Sequence, residues 1–311
     1  MSQAKPSTSA PHFQWSFLLP QYWGIWLVIL VFLFLSILPW TVQRYIAYAL
    51  ASIAWKILKS RRQTTIRNLE LCFPEWSAED VQRQGKQVFV DMMLGVFETL
   101  KSWFHKNWFD GRVSIEGLEA LQAAQKDGHG VILLGSHSTL LDAGGYICSR
   151  FFAVDVMYRP QNNPIFEWFF CTARQATYGE LISSRNTPRL VERLKTGHIA
   201  WYSPDQDFGL KQGVMADFFG VPAATVIAQR RLARETHAKV LSIQFYRIGE
   251  KDPKYQIIIE PELENYPTED AISDATRVNQ LLEMQIRRAP TQWMWFHKRF
   301  KTRPEGYEKI Y

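Results

Sequence analysis

Between residues 13 and 43 the chain carries no Asp, Glu, Lys, Arg or His, and its centre, 22–38, is almost wholly apolar. At about 1.5 Å per residue, a helix of that length nearly crosses a hydrocarbon core of roughly 30 Å. Tyr22, Trp23 and Trp26 at one end and Trp40 at the other stand where interfacial anchors belong, and Pro20 and Pro39 bracket the run. The pattern predicts one transmembrane anchor within 13–43. A cleaved signal peptide competes, because Ala47-Tyr48-Ala49 has the small-x-small form of a cleavage site. Against it, the apolar stretch is too long, only Lys5 precedes it, and Arg44 intervenes. Residues 1–12, rich in Ser, Thr, Pro and Ala, predict a disordered start. Lys5 alone precedes the anchor, whereas Arg44, Lys56, Lys59, Arg61, Arg62 and Arg67 follow it, so residues 44–311 are expected on the cytoplasmic side. The mostly apolar stretch 45–58 suits a helix lying on the membrane surface and an ordinary core helix equally well.

Further on, Phe73-Pro74-Glu75 breaks the pattern and Ser77 can cap a new helix. Val81, Val88, Met92, Val96 and Leu100 recur at helical spacing, predicting a long amphipathic helix over 78–104. From about Arg112 short apolar runs alternate with helical stretches. Strands are expected near 113–115, 131–134, 154–158, 198–202, 240–246 and 255–260. Helices are expected over 118–126, 139–150, 164–176, 188–195, 225–236 and 271–288. The alternation predicts an α/β domain whose central mixed sheet is flanked by helices.

Composition narrows the classes. The 311 residues are 47% hydrophobic and 14% aromatic, too apolar for a disordered chain. Cys72, Cys148 and Cys171 form no CxxC pair, which excludes a disulfide scaffold and a Cys-rich zinc module and fits a reducing compartment. The net charge of +6 is modest and gathers near the membrane segment and the C-terminus, a poor match to nucleic-acid binding. P-loop, GxGxxG and HExxH motifs are absent, and no cofactor or metal is expected.

The most informative run is Val131 to Asp142. A buried strand ends at Gly135, which puts His137 at the carboxyl end of that strand, where open α/β sheets place ligands. Asp142, five residues on, is one helical turn from reach of the imidazole. A carboxylate on one ring nitrogen fixes the tautomer and leaves the other free as a base for a hydroxyl attacking an acyl carbon. The plain alternative is a surface His beside an Asp that favours a helix dipole. Gly135-Ser136-His137-Ser138-Thr139 is not GxSxG, and no Cys has an activating neighbour, so the pair argues for transfer without a covalent acyl-enzyme. Arg159, Arg174 and Arg185 follow strand or helix ends, a grouping suited to an anionic ligand. Asp205 and Asp207, in a Pro/Gly loop after the strand 198–202, suit a metal, an arginine or a turn, and no third ligand stands at metal spacing.

Tyr22-Trp23-Gly24, Asn68-Leu69, Phe73-Pro74-Glu75, Gly135-Ser136-His137 with Asp142, Tyr158-Arg159-Pro160, Arg185, Tyr202 through Gly209, and Arg299 through Gly306 together resemble the lipid A secondary (late) acyltransferases, within the glycerolipid acyltransferase superfamily. The match runs along nearly the whole chain. Two departures stand out: Asp142 where many relatives have Glu, and Asp217 where Pro is usual. The resemblance implies transfer of a fatty acyl chain from acyl carrier protein to a hydroxyl of an acyl chain on a Kdo-bearing lipid A precursor, at the inner membrane. It implies His137 as general base, Asp142 as its orienter, Arg159, Arg174 and Arg185 on the acceptor's charges, and Asp205 and Asp207 orienting those cations. Arg230, Arg231, Lys298, Arg299, Lys301 and Arg303 are candidates to meet the acidic carrier protein, although each taken alone fits headgroup binding or a solvated charge slightly better. Two rivals are an acyltransferase for another glycolipid or a lysophospholipid, and a non-enzymatic lipid carrier.

Overall fold

The structure, a computed structural model, describes residues 11–175 and 177–311. Residues 1–10 of the expected disordered start lie outside the described residues. Two short 3₁₀ turns lead into α1 (Trp23–Ile37), and Pro39 ends it before α2 (Trp40–Ile57) begins. Along α1 most side chains, among them Leu27, Leu30 and Phe34, are exposed, while Ile29 and Phe17 pack with Ile165 and Phe169. The stretch Pro20–Ile37 is long and apolar enough to cross a membrane, which by itself is weak evidence for association with one.

The helix α2 packs one face on the long helix Ala78–Phe104 and leaves the other exposed. Its Ala47 and Ala51 pack on Phe89, Leu94 and Phe97, whereas Tyr45, Leu50, Ile53 and Ile57 are exposed. After α3 (Lys59–Cys72), the Ser77 hydroxyl accepts from the Asp80 N–H and starts α4 (Ala78–Phe104), as the sequence predicts. At about 1.5 Å per residue α4 is a strut of roughly 40 Å on which the first three helices rest.

Next come β1 (Val113–Glu116), α5 (Leu118–Gln125), β2 (Val131–Leu134), α6 (Leu141–Cys148), β3 (Asp155–Tyr158), α7 (Pro164–Gln175), β4 (Leu181–Ser183), α8 (Thr187–Lys195) and β5 (Ile199–Tyr202). The chain closes with β6 (Gly213–Phe218), β7 (Val221–Val226), α9 (Ala228–Thr236), β8 (Lys239–Ile248), β9 (Lys254–Ile259) and α10 (Ala271–Arg288). Seven strands form one sheet in the order β1-β9-β8-β2-β5-β3-β4, mixed because β8 and β9 alone run antiparallel. In central β2, Ile132 and Leu134 enter one core and Val131 and Leu133 the other, so each residue must be apolar.

Two regions differ from expectation. Strands β6 and β7 form an antiparallel hairpin where none was expected, and the expected helix over 225–236 begins only at Ala228. The hairpin turns on Phe219 and Gly220, both at positive φ (53° and 73°), a two-residue turn without the usual Asn-Gly or Asp-Gly signal. The edge strand β4 has only three residues, too few for a periodic pattern.

Candidate functional site

The site follows from strand register. Strands β2 and β5 are parallel neighbours with Leu134 opposite Tyr202. His137 and Asp205 each lie three residues past that pair, so the two loops bring them together at the carboxyl edge of the sheet. The His137 Nδ1–Asp205 Oδ1 distance is 2.6 Å, and the His137 backbone N–H donates to Oδ2 at 2.8 Å. The Asp205 carboxylate also accepts from Ser203 Oγ and, at 2.8 Å, from Trp293 Nε1.

The loop carrying His137 is clamped on several sides. Met294 N donates to the His137 carbonyl at 3.0 Å, Thr139 N to the Gln292 carbonyl at 2.8 Å, and Ser136 Oγ to Gln244 Oε1 at 3.0 Å. Two glycines make this possible. A Cβ on Gly95 would lie 2.1 Å from the Thr139 carbonyl, and one on Gly135 would lie 2.3 Å from Trp201 Nε1. Any larger residue there would force α4 or Trp201 away from the loop.

Asp205 is 1% exposed, whereas the His137 side chain is 23% exposed. Burial alone would raise the Asp205 carboxyl, but the His137 charge and the hydrogen bonds from His137 and Ser203 hold it well below the usual carboxylate range. Burial pushes the His137 imidazole down, and the Asp205 carboxylate outweighs it, leaving the imidazole above its ordinary value. An ionised Asp205 fixes the proton of the neutral ring on Nδ1 and leaves Nε2 as a lone pair.

The other predicted residues are placed differently from expectation. Asp142 does not aim His137: both its oxygens face Arg174, at 2.7 Å from Nε and 2.9 Å from Nη2. The cause is local. Asp142 sits in the first turn of α6 and Arg174 in the last turn of α7, and the two side chains meet at the rim of an apolar cavity. Asp205 holds His137 rather than a cation. Asp207 accepts from Gly209 N, Thr302 N and Thr302 Oγ1, tying the loop to the C-terminal segment. Arg159 and Arg185 are exposed just past β3 and β4, whose ends are joined by Ser184 N donating to the Tyr158 carbonyl at 2.8 Å.

Of the cations expected on the carrier protein, Arg299 is fully buried and donates to the Ala224 carbonyl and Thr225 Oγ1. Arg230 is held by Asp274, and Arg303 donates to the Pro222 carbonyl. Arg231, Lys298 and Lys301 are exposed.

Sequence reasoning missed Gln206, Trp293 and His297. Gln206 Nε2 lies 3.3 Å from His137 Nε2 and 3.1 Å from His297 Nε2. Only the return of the C-terminal segment across the sheet edge brings Trp293 and His297 there, and no local pattern announces it. Beside the site lies a cavity of about 90 Å³, lined by Leu133, Leu141, Met157, Ile243 and Phe245 with Asp142 and Arg174. Trp201 lines it too, and its ring meets the His137 ring edge-on with centroids 5.7 Å apart. Among the described residues no cluster of His, Cys, Asp and Glu has metal-binding geometry.

Comparison with known proteins places the molecule. Residues 10–302 match the family described as bacterial lipid A biosynthesis acyltransferase. The chain is 35% identical over 304 residues to the lipid A biosynthesis palmitoleoyltransferase of Escherichia coli (strain K12), covering 96% of this chain and 98% of that one. It is 33% identical over 314 residues to the lipid A biosynthesis lauroyltransferase of the same organism, covering 98% and 100%. A lipid A biosynthesis acyltransferase of Haemophilus influenzae is 30% identical over 304 residues, covering 95% and 96%. With its mixed α/β sheet and a polar site at the carboxyl edge, the chain is an acyltransferase and belongs to the bacterial lipid A biosynthesis acyltransferases.

Proposed function

We propose that this enzyme transfers a fatty acyl chain from acyl carrier protein to a hydroxyl on an acyl chain of a Kdo-bearing lipid A precursor, with His137 as general base and no covalent acyl-enzyme. The observation that carries the reading is the His137 Nδ1–Asp205 Oδ1 contact of 2.6 Å beneath a partly exposed ring. Asp205 holds the Nδ1 proton, Nε2 takes the proton of the attacking hydroxyl, and the imidazolium returns it to the departing thiolate. The hydroxyl oxygen bonds the acyl carbon, placing negative charge on the carbonyl oxygen, and the C–S bond then breaks as the C=O re-forms. The apolar cavity, which shares Trp201 with the base's surroundings, receives the acyl chain.

Arg159 and Arg185, exposed at the carboxyl edge of the same sheet, take the phosphate and sugar-acid charges of the acceptor. Asp142 acts through Arg174, holding the guanidinium at the cavity rim. The exposed Arg231, Lys298 and Lys301 meet the acidic carrier protein. No cofactor or metal is required. The apolar helix within 13–43 crosses the inner membrane once, and residues 44–311 work on its cytoplasmic side, where the amphipathic acceptor is presented.

The test is His137→Ala, assayed with lauroyl-, myristoyl- and palmitoleoyl-acyl carrier protein and a Kdo-bearing lipid A precursor. Turnover falls at least about 10²-fold, as for loss of a general base, while the fold survives. Wild-type turnover in that variant would point to a lipid carrier or a different base. Lysophosphatidate supplied in place of the lipid A precursor separates the rival acceptor class.

A further inference from the structure

We propose that the Gln206 carboxamide is the donor that stabilises the oxyanion in this acyl transfer, and that His297 positions it. The inference rests on the assignment of His137 as base. Acyl transfer builds negative charge on the carbonyl oxygen, and enzymes meet it with N–H groups fixed in advance, often those of the loop that carries the catalytic residue. Here those groups are taken. His137 N donates to Asp205, Ser138 N to the Ser136 carbonyl and Thr139 N to the Gln292 carbonyl, each at 2.8 Å, and Leu140 N donates to Ser138 Oγ at 3.3 Å. The Trp201 indole N–H is buried and turned in against Gly135. With those four N–H groups occupied, the facing loop after β5 is the place to look for a donor.

Gln206 is the side chain on that loop placed against the base. It follows Asp205 directly, is half-buried, and lies one hydrogen bond from the base, with Nε2 3.3 Å from His137 Nε2. Because Asp205 takes the Nδ1 proton, His137 Nε2 is an acceptor, so the amide must present its nitrogen there rather than its oxygen. The same nitrogen lies 3.1 Å from His297 Nε2, and Met294 Sδ lies 3.0 Å from that ring nitrogen on its other side. Burial, and then the charge of nearby His137, lowers the His297 imidazole below its ordinary value and so keeps the ring neutral, able to accept from the amide. In the free enzyme Gln206 thus caps the lone pair of the base. An arriving hydroxyl takes that lone pair and displaces one amide N–H. The displaced N–H then lies beside the carbon under attack, whose carbonyl oxygen becomes its acceptor.

The experiment compares Gln206→Ala with His137→Ala in the full-length enzyme, using the three acyl carrier protein thioesters and the lipid A precursor above. Gln206→Ala is expected to lower kcat about 10²-fold, the effect of losing one oxyanion donor, with both KM values within about threefold and an unchanged melting temperature. The capping N–H stabilises only the neutral ring, so its loss raises the His137 pKa and moves the acid limb of kcat/KM to higher pH. A merely structural role would leave that limb in place. The titratable groups facing His137, Asp205 and His297, are the same in this variant. His297→Ala lowers kcat by a smaller factor, and His297→Gln, which keeps an acceptor, restores part of it. A Gln206→Ala kcat within about fivefold of wild type, with His137→Ala inactive, overturns the donor and leaves the base standing. An active His137→Ala removes the base, and the donor with it.

Discussion

Two of the buried carboxylate clusters in this molecule differ in where their chain of hydrogen bonds ends. At the sheet edge Asp205 gathers His137, Ser203 and Trp293, and the chain ends in an imidazole whose side chain is 23% exposed. Deeper in, Arg247 on β8 holds Asp91 and Glu98 of α4, all three at most 5% exposed, with Tyr255 and Trp108 continuing the chain from Glu98 and Gln87 and Glu250 from Asp91. Burial pushes the Glu98 carboxyl up to about 7 despite Arg247 beside it, whereas Asp205 is held well below the usual range. Both clusters remove carboxylates from water. The first leaves a proton acceptor at an opening, so it can do chemistry. The second is sealed, so all it can do is fasten α4 to the sheet and thereby fix the platform under the Thr139 loop.

The comparison is broken most sharply at Asp205. Asp205→Asn removes the charge that holds the Nδ1 tautomer, and kcat is expected to fall about 10³- to 10⁴-fold with the fold intact, measured in the same transfer assay. A loss under tenfold would sink the role assigned to Asp205. The same pair sets the pH profile. With the imidazole pKa raised, the ring loses base function as pH falls through a value above its ordinary 6.5, so the acid limb of kcat/KM lies above 6.5.

In the sealed cluster, Arg247→Met strands two carboxylates and should cost about 3–5 kcal/mol of stability by denaturant titration. The loss should shrink as pH falls and the carboxyls take up protons, and the kcat of the folded enzyme should change little. A variant as stable as wild type at pH 8 would contradict the fastening role. Between the two clusters stands Asp142, paired with Arg174 at the cavity rim. Asp142→Asn should lower kcat/KM about tenfold, the scale of one hydrogen bond to a charged group. The pH profile should not move, since Asp142 does not touch His137. The smallest effect belongs to exposed Arg185. Arg185→Ala should raise the acceptor KM about two- to fivefold, the worth of a solvated ion pair, without lowering kcat.

The α/β class and the long amphipathic helix were legible because they rest on local periodicity. So were the buried strand before His137 and the candidacy of His137 itself, since an apolar run ending in Gly and a His is a strand-end signal wherever it occurs. The hairpin of β6 and β7 was not legible, because its turn places Phe219 at positive φ against that residue's ordinary preference, and only the packed surroundings enforce it.

Residue types alone determined that this chain has an apolar N-terminal segment, a sheet with helices on both faces and a histidine at the mouth of a strand. Tertiary structure decided which carboxylate serves that histidine. Asp142 is five residues away in sequence yet faces Arg174, while Asp205 is 68 residues away and touches the ring, because parallel pairing of β2 with β5 aligns their loops. Strand adjacency is set by how whole faces bury, a property of the assembled sheet and of no single stretch of sequence.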